Sequence, residues 1–152
     1  MKPTRFILIL AFCFAASLCF AANPFTGTWK LDESKSKLGP GASHNSTVIY
    51  SQEGDKAKTT IEGTTADGKP FHNEWVGKWD GKDYPVIGGP EDSRAVTKVN
   101  DRTLDLNIKK DGKVIATGRV VVSPDGKTRT VTLTSTDAQG KKVKSTLVYD
   151  KQ

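Results

Sequence analysis

Apolar and polar residues alternate along most of this chain. Leu104, Leu106 and Ile108 are separated by Asp105 and Asn107, and Arg129, Val131 and Leu133 are separated by threonines. A period of two places successive side chains on opposite faces of an extended strand. After the first residues, no stretch sustains the 3.6-residue apolar period of a helix. Asp-Gly or a close relative recurs at Gly54-Asp55, Asp67-Gly68, Asp80-Gly81, Asp111-Gly112, Asp125-Gly126 and Gln139-Gly140. Such pairs adopt the positive backbone angles of tight hairpin turns. The pattern predicts strands near 26–32, 45–53, 56–65, 69–79, 82–87, 94–100, 103–110, 113–123, 127–136 and 141–149. The one helical candidate is Glu33 to Lys37, with Asp32 as its cap and Gly39-Pro40 as its stop. Regularly spaced short strands of this kind predict an all-β fold, an antiparallel up-and-down meander closed into a barrel of roughly eight to ten strands.

Each tight turn also fixes which residues face each other. A turn at Asp111-Gly112 sets Ile108 against Ile115, Leu106 against Thr117 and Leu104 against Arg119. Loops at Pro124-Asp125-Gly126 and Ala138-Gln139-Gly140 then oppose Val121 to Arg129, Leu133 to Ser145 and Val131 to Leu147. One face collects Leu104, Leu106, Ile108, Ile115, Val121, Val131, Leu133, Val143, Leu147 and Tyr149. In the first half, with less secure turns, Val48, Tyr50, Ile61, Phe71, Trp75, Tyr84 and Val86 face inward.

The same register puts Arg119 and Arg129 on the apolar face, where a guanidinium is costly unless paired. Arg129, near the Asp125-Gly126 turn, is read as closing the floor of the barrel over an aromatic ring. Arg119 has three readings: an anionic contact for a bound molecule, a second floor residue, or a side chain turned outward by a bulge. The first of these is carried into the expected ligand site.

The start of the chain changes the compartment. Lys2 and Arg5 precede a nearly continuous apolar run from Phe6 to Phe20, followed by Ala21 and Ala22. This is the pattern of a secretory signal peptide, and the run is shorter than the roughly 20 residues that span a bilayer. Residues 1–21 are expected to be removed and 22–152 to form a single domain, exported to the periplasm or the extracellular space, without stable membrane insertion. Both cysteines, Cys13 and Cys19, fall in the removed segment. Loss of Lys2 and Arg5 lowers the formal charge from +6 to +4, spread beside Asp and Glu rather than gathered in a basic stripe. A nucleic-acid surface is therefore not expected.

Asn23-Pro24-Phe25-Thr26-Gly27-Thr28-Trp29-Lys30-Leu31 resembles the opening of lipocalins and fatty-acid-binding proteins, the calycin families. In those families a Gly-x-Trp on the first strand sets its Trp at the closed end of the barrel, often under a basic side chain from a late strand. The resemblance implies that Trp29 and Arg129 form the barrel base. It also implies that the end carrying the 32–44 and 88–90 loops is a mouth. The Thr-Asp-Tyr motif of lipocalins is absent, as is the Arg-x-Tyr by which fatty-acid-binding proteins hold a carboxylate, since Leu147-Val148 precede Tyr149.

His44 and His72 make no metal-ligand spacing, and no nucleophile motif or nucleotide-binding glycine loop is present. No cofactor, metal or enzymatic activity is expected. The leading expectation is a monomeric, lipocalin-like carrier of a small apolar or amphipathic ligand. Tyr50, Trp75 and Tyr84 would supply wall and Arg119 an anionic contact. The alternative is an exported β-module with a filled core that acts through its surface loops on a partner or as an inhibitor.

Overall fold

The computed structural model describes residues 23–136 and 139–152. Residues 1–22, which include Cys13, Cys19 and the expected signal peptide, lie outside the described residues. Ten antiparallel strands follow one another in sequence: β1 (Gly27–Lys37), β2 (His44–Glu53), β3 (Lys56–Thr64), β4 (Pro70–Gly77), β5 (Asp80–Ile87), β6 (Ser93–Asn100), β7 (Thr103–Lys110), β8 (Lys113–Val122), β9 (Thr128–Thr136) and β10 (Lys142–Lys151). Each pairs with its neighbour, and β1 pairs with β10 to close the barrel. The alternating sequence and glycine-bearing turns thus produce an up-and-down barrel in which every strand has a partner on both sides and no edge is left open.

The helical expectation at Glu33 to Lys37 is overturned, because β1 runs on through Lys37 with an irregularity between Asp32 and Lys37. The local hydrogen bonds that suggested a cap do exist. The Lys35 amide donates to Asp32 Oδ1 over 3.2 Å, and Ser34 donates to the same oxygen over 2.5 Å. Here they stabilise a bulge instead. Ser36 Oγ donates to the Asp32 carbonyl and accepts from the Val148 amide, bridging the gap in the ladder. Asp80-Gly81 is likewise not a turn. It opens β5, and Gly81, with φ of 79°, sits in a bulge against β6.

The largest correction concerns Arg119. A register shift between Ile108 and Lys109 sets Lys109 opposite Val114 but Ile108 opposite Ala116. That one extra residue reverses the facing of the rest of β8. Leu104 consequently opposes Val120, and Asp105 opposes Arg119. Val120 and Val122 are buried, whereas Val121 is on the outer surface. Arg119 lies outside as well, bound through Nε and Nη2 to the two carboxylate oxygens of Asp105 at 2.7 and 2.9 Å. Beyond β8 the expected register holds: Leu133 opposes Ser145, Val131 opposes Leu147, and Arg129 opposes Tyr149.

The core is heaviest at the end formed by the tight turns. Phe25, Trp29 and Leu104 are wholly buried there, beside Val122 and Tyr149. Trp29 donates from Nε1 to the Phe25 carbonyl over 2.8 Å, which fixes its ring across the bottom of the barrel. Gly27, with φ of 126°, takes a backbone conformation that favours glycine at the start of β1.

Truncating this ring removes the floor and leaves a cavity. We expect Trp29→Ala to lower stability by about 3–5 kcal/mol, read as a reduced urea midpoint. Arg119→Ala, on the outer face, should leave the midpoint nearly unchanged.

Candidate ligand-binding cavity

Above the Trp29 floor the barrel is not filled. An interior cavity of about 720 Å³ extends from Tyr50, Arg129 and Tyr149 at the bottom to Pro40, Ala66 and Pro90 in the mouth loops. Its walls are mainly aliphatic, among them Val48, Ile61, Leu106, Ile108, Leu133 and Leu147. The origin is the period-two pattern itself, which turns one apolar side chain in two toward the axis of the barrel. The volume is in the range of sites that take small molecules.

Arg129 occupies the floor, as expected. Its guanidinium carbon lies 4.6 Å from the centroid of Tyr149, 5.4 Å from Tyr50 and 5.8 Å from Trp29. Lys151 covers Trp29 from another side, with Nζ at 5.2 Å. Burial pushes the Tyr149 phenol up to about 12, with the nearby Arg129 charge opposing the shift. Tyr149 donates its hydroxyl to the Asn45 carbonyl over 3.0 Å, tying β10 to β2 across the barrel. Trp29, Tyr50, Arg129 and Tyr149 thus pack together at the closed end, and Tyr50 also faces the cavity.

Trp75 and Tyr84 do not line the cavity. They meet edge to face, with centroids 6.1 Å apart and planes at 87°, inside the wall. The reason is the seam between β4 and β5, where the only paired positions are Glu74 with Ile87 and Trp75 with Val86. Both rings pack into the core beside that sparsely paired stretch. Trp75 Nε1 donates to the Arg94 carbonyl over 3.1 Å. Gly77 leaves no ligand room, since a Cβ there would lie 2.5 Å from the Trp75 ring and 2.7 Å from Tyr84.

The mouth end of the same seam holds a polar group that the sequence reading did not single out. Arg94, on β6, and Glu91, in the preceding loop, are both buried and form an ion pair through Arg94 Nη2 and Glu91 Oε1. Glu91 Oε1 also accepts from Asn73 Nδ2 over 3.2 Å. The backbone of Gly88 and Gly89 comes down onto His72 and Asn73, closing the loop over this cluster. Glu91 and Arg94 face the cavity. Their i,i+3 spacing spans a loop and a strand start, so neither helical nor strand periodicity marks it; two charges beside Gly88-Gly89-Pro90 were the available signal.

Arg119 is remote from the interior for the reason given above, so the anionic contact assigned to it is not made. Outside the barrel it borders a shallow polar groove with Asp105, Asn107 and Thr132. Among the described residues no group of three or more His, Cys, Asp or Glu side chains converges as a metal site would require.

No protein-family model matches the sequence, and no curated protein does. Solved structures do. The chain is similar to a Schistosoma mansoni fatty acid binding protein in complex with arachidonic acid, with a TM-score of 0.51 and 21% identity, over 85% of this chain and 96% of that one. It is also similar to EF1p2_mFAP2b bound to DFHBI, with a TM-score of 0.52 and 14% identity, over 87% of this chain and 97% of that one. At these identities the likeness is one of fold, a closed antiparallel barrel of ten strands.

Burial of Tyr149 makes a pH prediction. The ordinary phenol value is 10.0, and the folded value is raised to about 12. The unfolded state therefore releases this proton first as pH rises, so the contribution to stability is complete below pH 10 and is lost between 10 and about 12. Denaturation midpoints measured through this interval should fall in the wild type and fall less steeply in Tyr149→Phe.

Proposed function

We propose that this protein is an exported, monomeric, non-enzymatic barrel that binds a small apolar or amphipathic molecule in its interior. The observation that carries the reading is the interior cavity of about 720 Å³, open toward the mouth loops, with predominantly aliphatic walls. A module acting only through its loops would have no need of such a space, and cores that serve stability alone are packed close to crystal density. The two structural neighbours support the reading, since each is described with a small molecule bound. Export rests on the leader pattern from Lys2 to Ala22. Monomeric action is consistent with a barrel that one chain closes by itself.

Access is from the end opposite Trp29, where the cavity reaches Pro40, Ala42, Ala66 and Pro90. Bound apolar surface would be removed from water at about 25 cal/mol per Å². Tyr50, at the bottom of the cavity, is the one residue of the expected aromatic wall that a ligand would touch.

Nile red, an uncharged apolar dye, tests the cavity. It should bind the wild type with enhanced, blue-shifted emission and be displaced by dodecanol. Ala116→Phe, which places a ring in the cavity from β8, should abolish the enhancement while the protein remains folded by circular dichroism. Enhancement that persists undiminished in a folded Ala116→Phe protein would place the dye elsewhere, and no enhancement in the wild type would contradict the reading.

A further inference from the structure

The buried ion pair near the mouth has more hydrogen-bonding capacity than the protein uses. Glu91 Oε1 accepts from both Arg94 Nη2 and Asn73 Nδ2, whereas Oε2 accepts from none of the described residues. Arg94 gives Nη2 alone. Its Nε is buried without a partner, and its Nη1 makes no hydrogen bond to a described residue. Both side chains line the cavity, yet Glu91 is 8% and Arg94 6% exposed. The unused capacity is thus sheltered from bulk water and adjoins the space a ligand would occupy.

The pair is also held in place. Asp92, the neighbour of Glu91, accepts at Oδ1 from Lys110 Nζ over 2.8 Å and at Oδ2 from the Asp111 amide over 2.6 Å. The Asp92 amide donates to the Lys109 carbonyl, and its own carbonyl accepts from the Val86 amide, both over 2.9 Å. Gly89 lies so close to the cluster that a Cβ there would be 2.9 Å from Asn73 Nδ2. Arg94 stands in the sheet between Tyr84 and Ile108. Groups fixed in this way lose little freedom when a ligand meets them. Stability alone does not call for them, because well-packed apolar residues often replace a buried ion pair without loss.

The pair selects by charge and by pattern. A carboxylate that approaches Arg94 meets Glu91 beside it, and an ammonium that approaches Glu91 meets Arg94. A neutral group that accepts on one side and donates on the other satisfies both and leaves no charge unbalanced. A carboxamide presents its C=O and N–H in that way. Resting on the ligand-binding reading above, we propose that Glu91 and Arg94 form a subsite near the mouth for the carboxamide group of an uncharged amphiphile. The amide oxygen accepts from Arg94, the amide N–H donates to Glu91 Oε2, and the aliphatic walls of Ile61, Leu106, Leu133 and Leu147 receive the apolar chain.

Dodecanamide and undecyl methyl ketone test this, because they share a chain and a carbonyl and differ only in an NH2 or a CH3 beside it. Each displaces Nile red, and the quantity read is the ketone concentration at half displacement divided by the amide concentration. The difference in their solubility is the same for every variant and drops out of the comparison. Glu91→Gln keeps the shape of the side chain. Its carbonyl can take the two bonds of Oε1, which leaves an N–H donor where the open acceptor was. The ratio should then fall roughly tenfold, the loss expected of one hydrogen bond to a charged group. In Arg119→Ala, on the outer face, the ratio should not change. An unchanged ratio in folded Glu91→Gln, or an equal fall in Arg119→Ala, would overturn the proposal.

A second measurement needs no variant, should Glu91→Gln fail to fold. Dodecanamide isotope-labelled at its amide nitrogen should show through-space contacts from its N–H protons to the side chains of Pro90, Glu91 and Arg94. Contacts to the Tyr50 and Tyr149 rings instead would place the amide at the floor and contradict the proposal. Nile red binding with an unchanged ratio would end this inference alone, whereas no Nile red binding would end the cavity reading with it.

Discussion

Closure of the sheet through β1 is the constraint on which the rest of this structure depends. Trp29 opposes Val48 on β2 and Lys151 on β10, so the first strand joins the second to the last. Once the ring of strands is closed, alternate side chains have only the interior to enter. Their volume decides how much of that interior is filled. At the Trp29 end, large rings and Arg129 fill it; toward the mouth, smaller aliphatic residues do not, and the cavity is what remains. The same ring that closes the floor also presents the face against which a buried cation rests, so floor and candidate ligand site are continuous.

The polar interactions inside the barrel divide into two kinds. At the β4–β5 seam, Asn73, Glu91 and Arg94 satisfy much of one another's demand in a place where the backbone ladder is nearly missing. Removing one partner of such a buried pair leaves an uncompensated charge and costs about 3–5 kcal/mol, which makes the group structural first. At the floor Arg129 lies against the rings of Tyr149, Tyr50 and Trp29, while its Nε and Nη1 lack a hydrogen-bond partner.

Much of this was legible in the sequence, because period-two alternation and glycine-bearing turns are local signals. They placed the ten strands and the inward face of β9 and β10. The failures share a physical cause: irregularities of a single residue that no residue type announces. The shift at Ile108 and Lys109 turned Arg119 outward, and it also explains why Val120 and Val122, anomalous on a solvated face, belong inside. Extension of β1 past Asp32 used the same side-chain-to-backbone bonds that a helix cap would use. Trp75 and Tyr84 pack against each other in the core rather than along the cavity, beside a seam whose sparse pairing cannot be inferred from either strand alone. Glu91 and Arg94 escaped notice because their partnership is created by the descent of the Gly88-Gly89 loop onto Asn73.

The central claim is that the interior of this barrel holds a small molecule, and intermolecular nuclear Overhauser contacts with bound dodecanol test it most directly. Inward methyls of Val48, Ile61, Leu133 and Leu147 line the cavity, whereas Ile49, Val76 and Val121 stand on the outer surface. An occupied interior predicts contacts to the first set and none to the second. Contacts confined to the outer methyls, or to neither set, would contradict it.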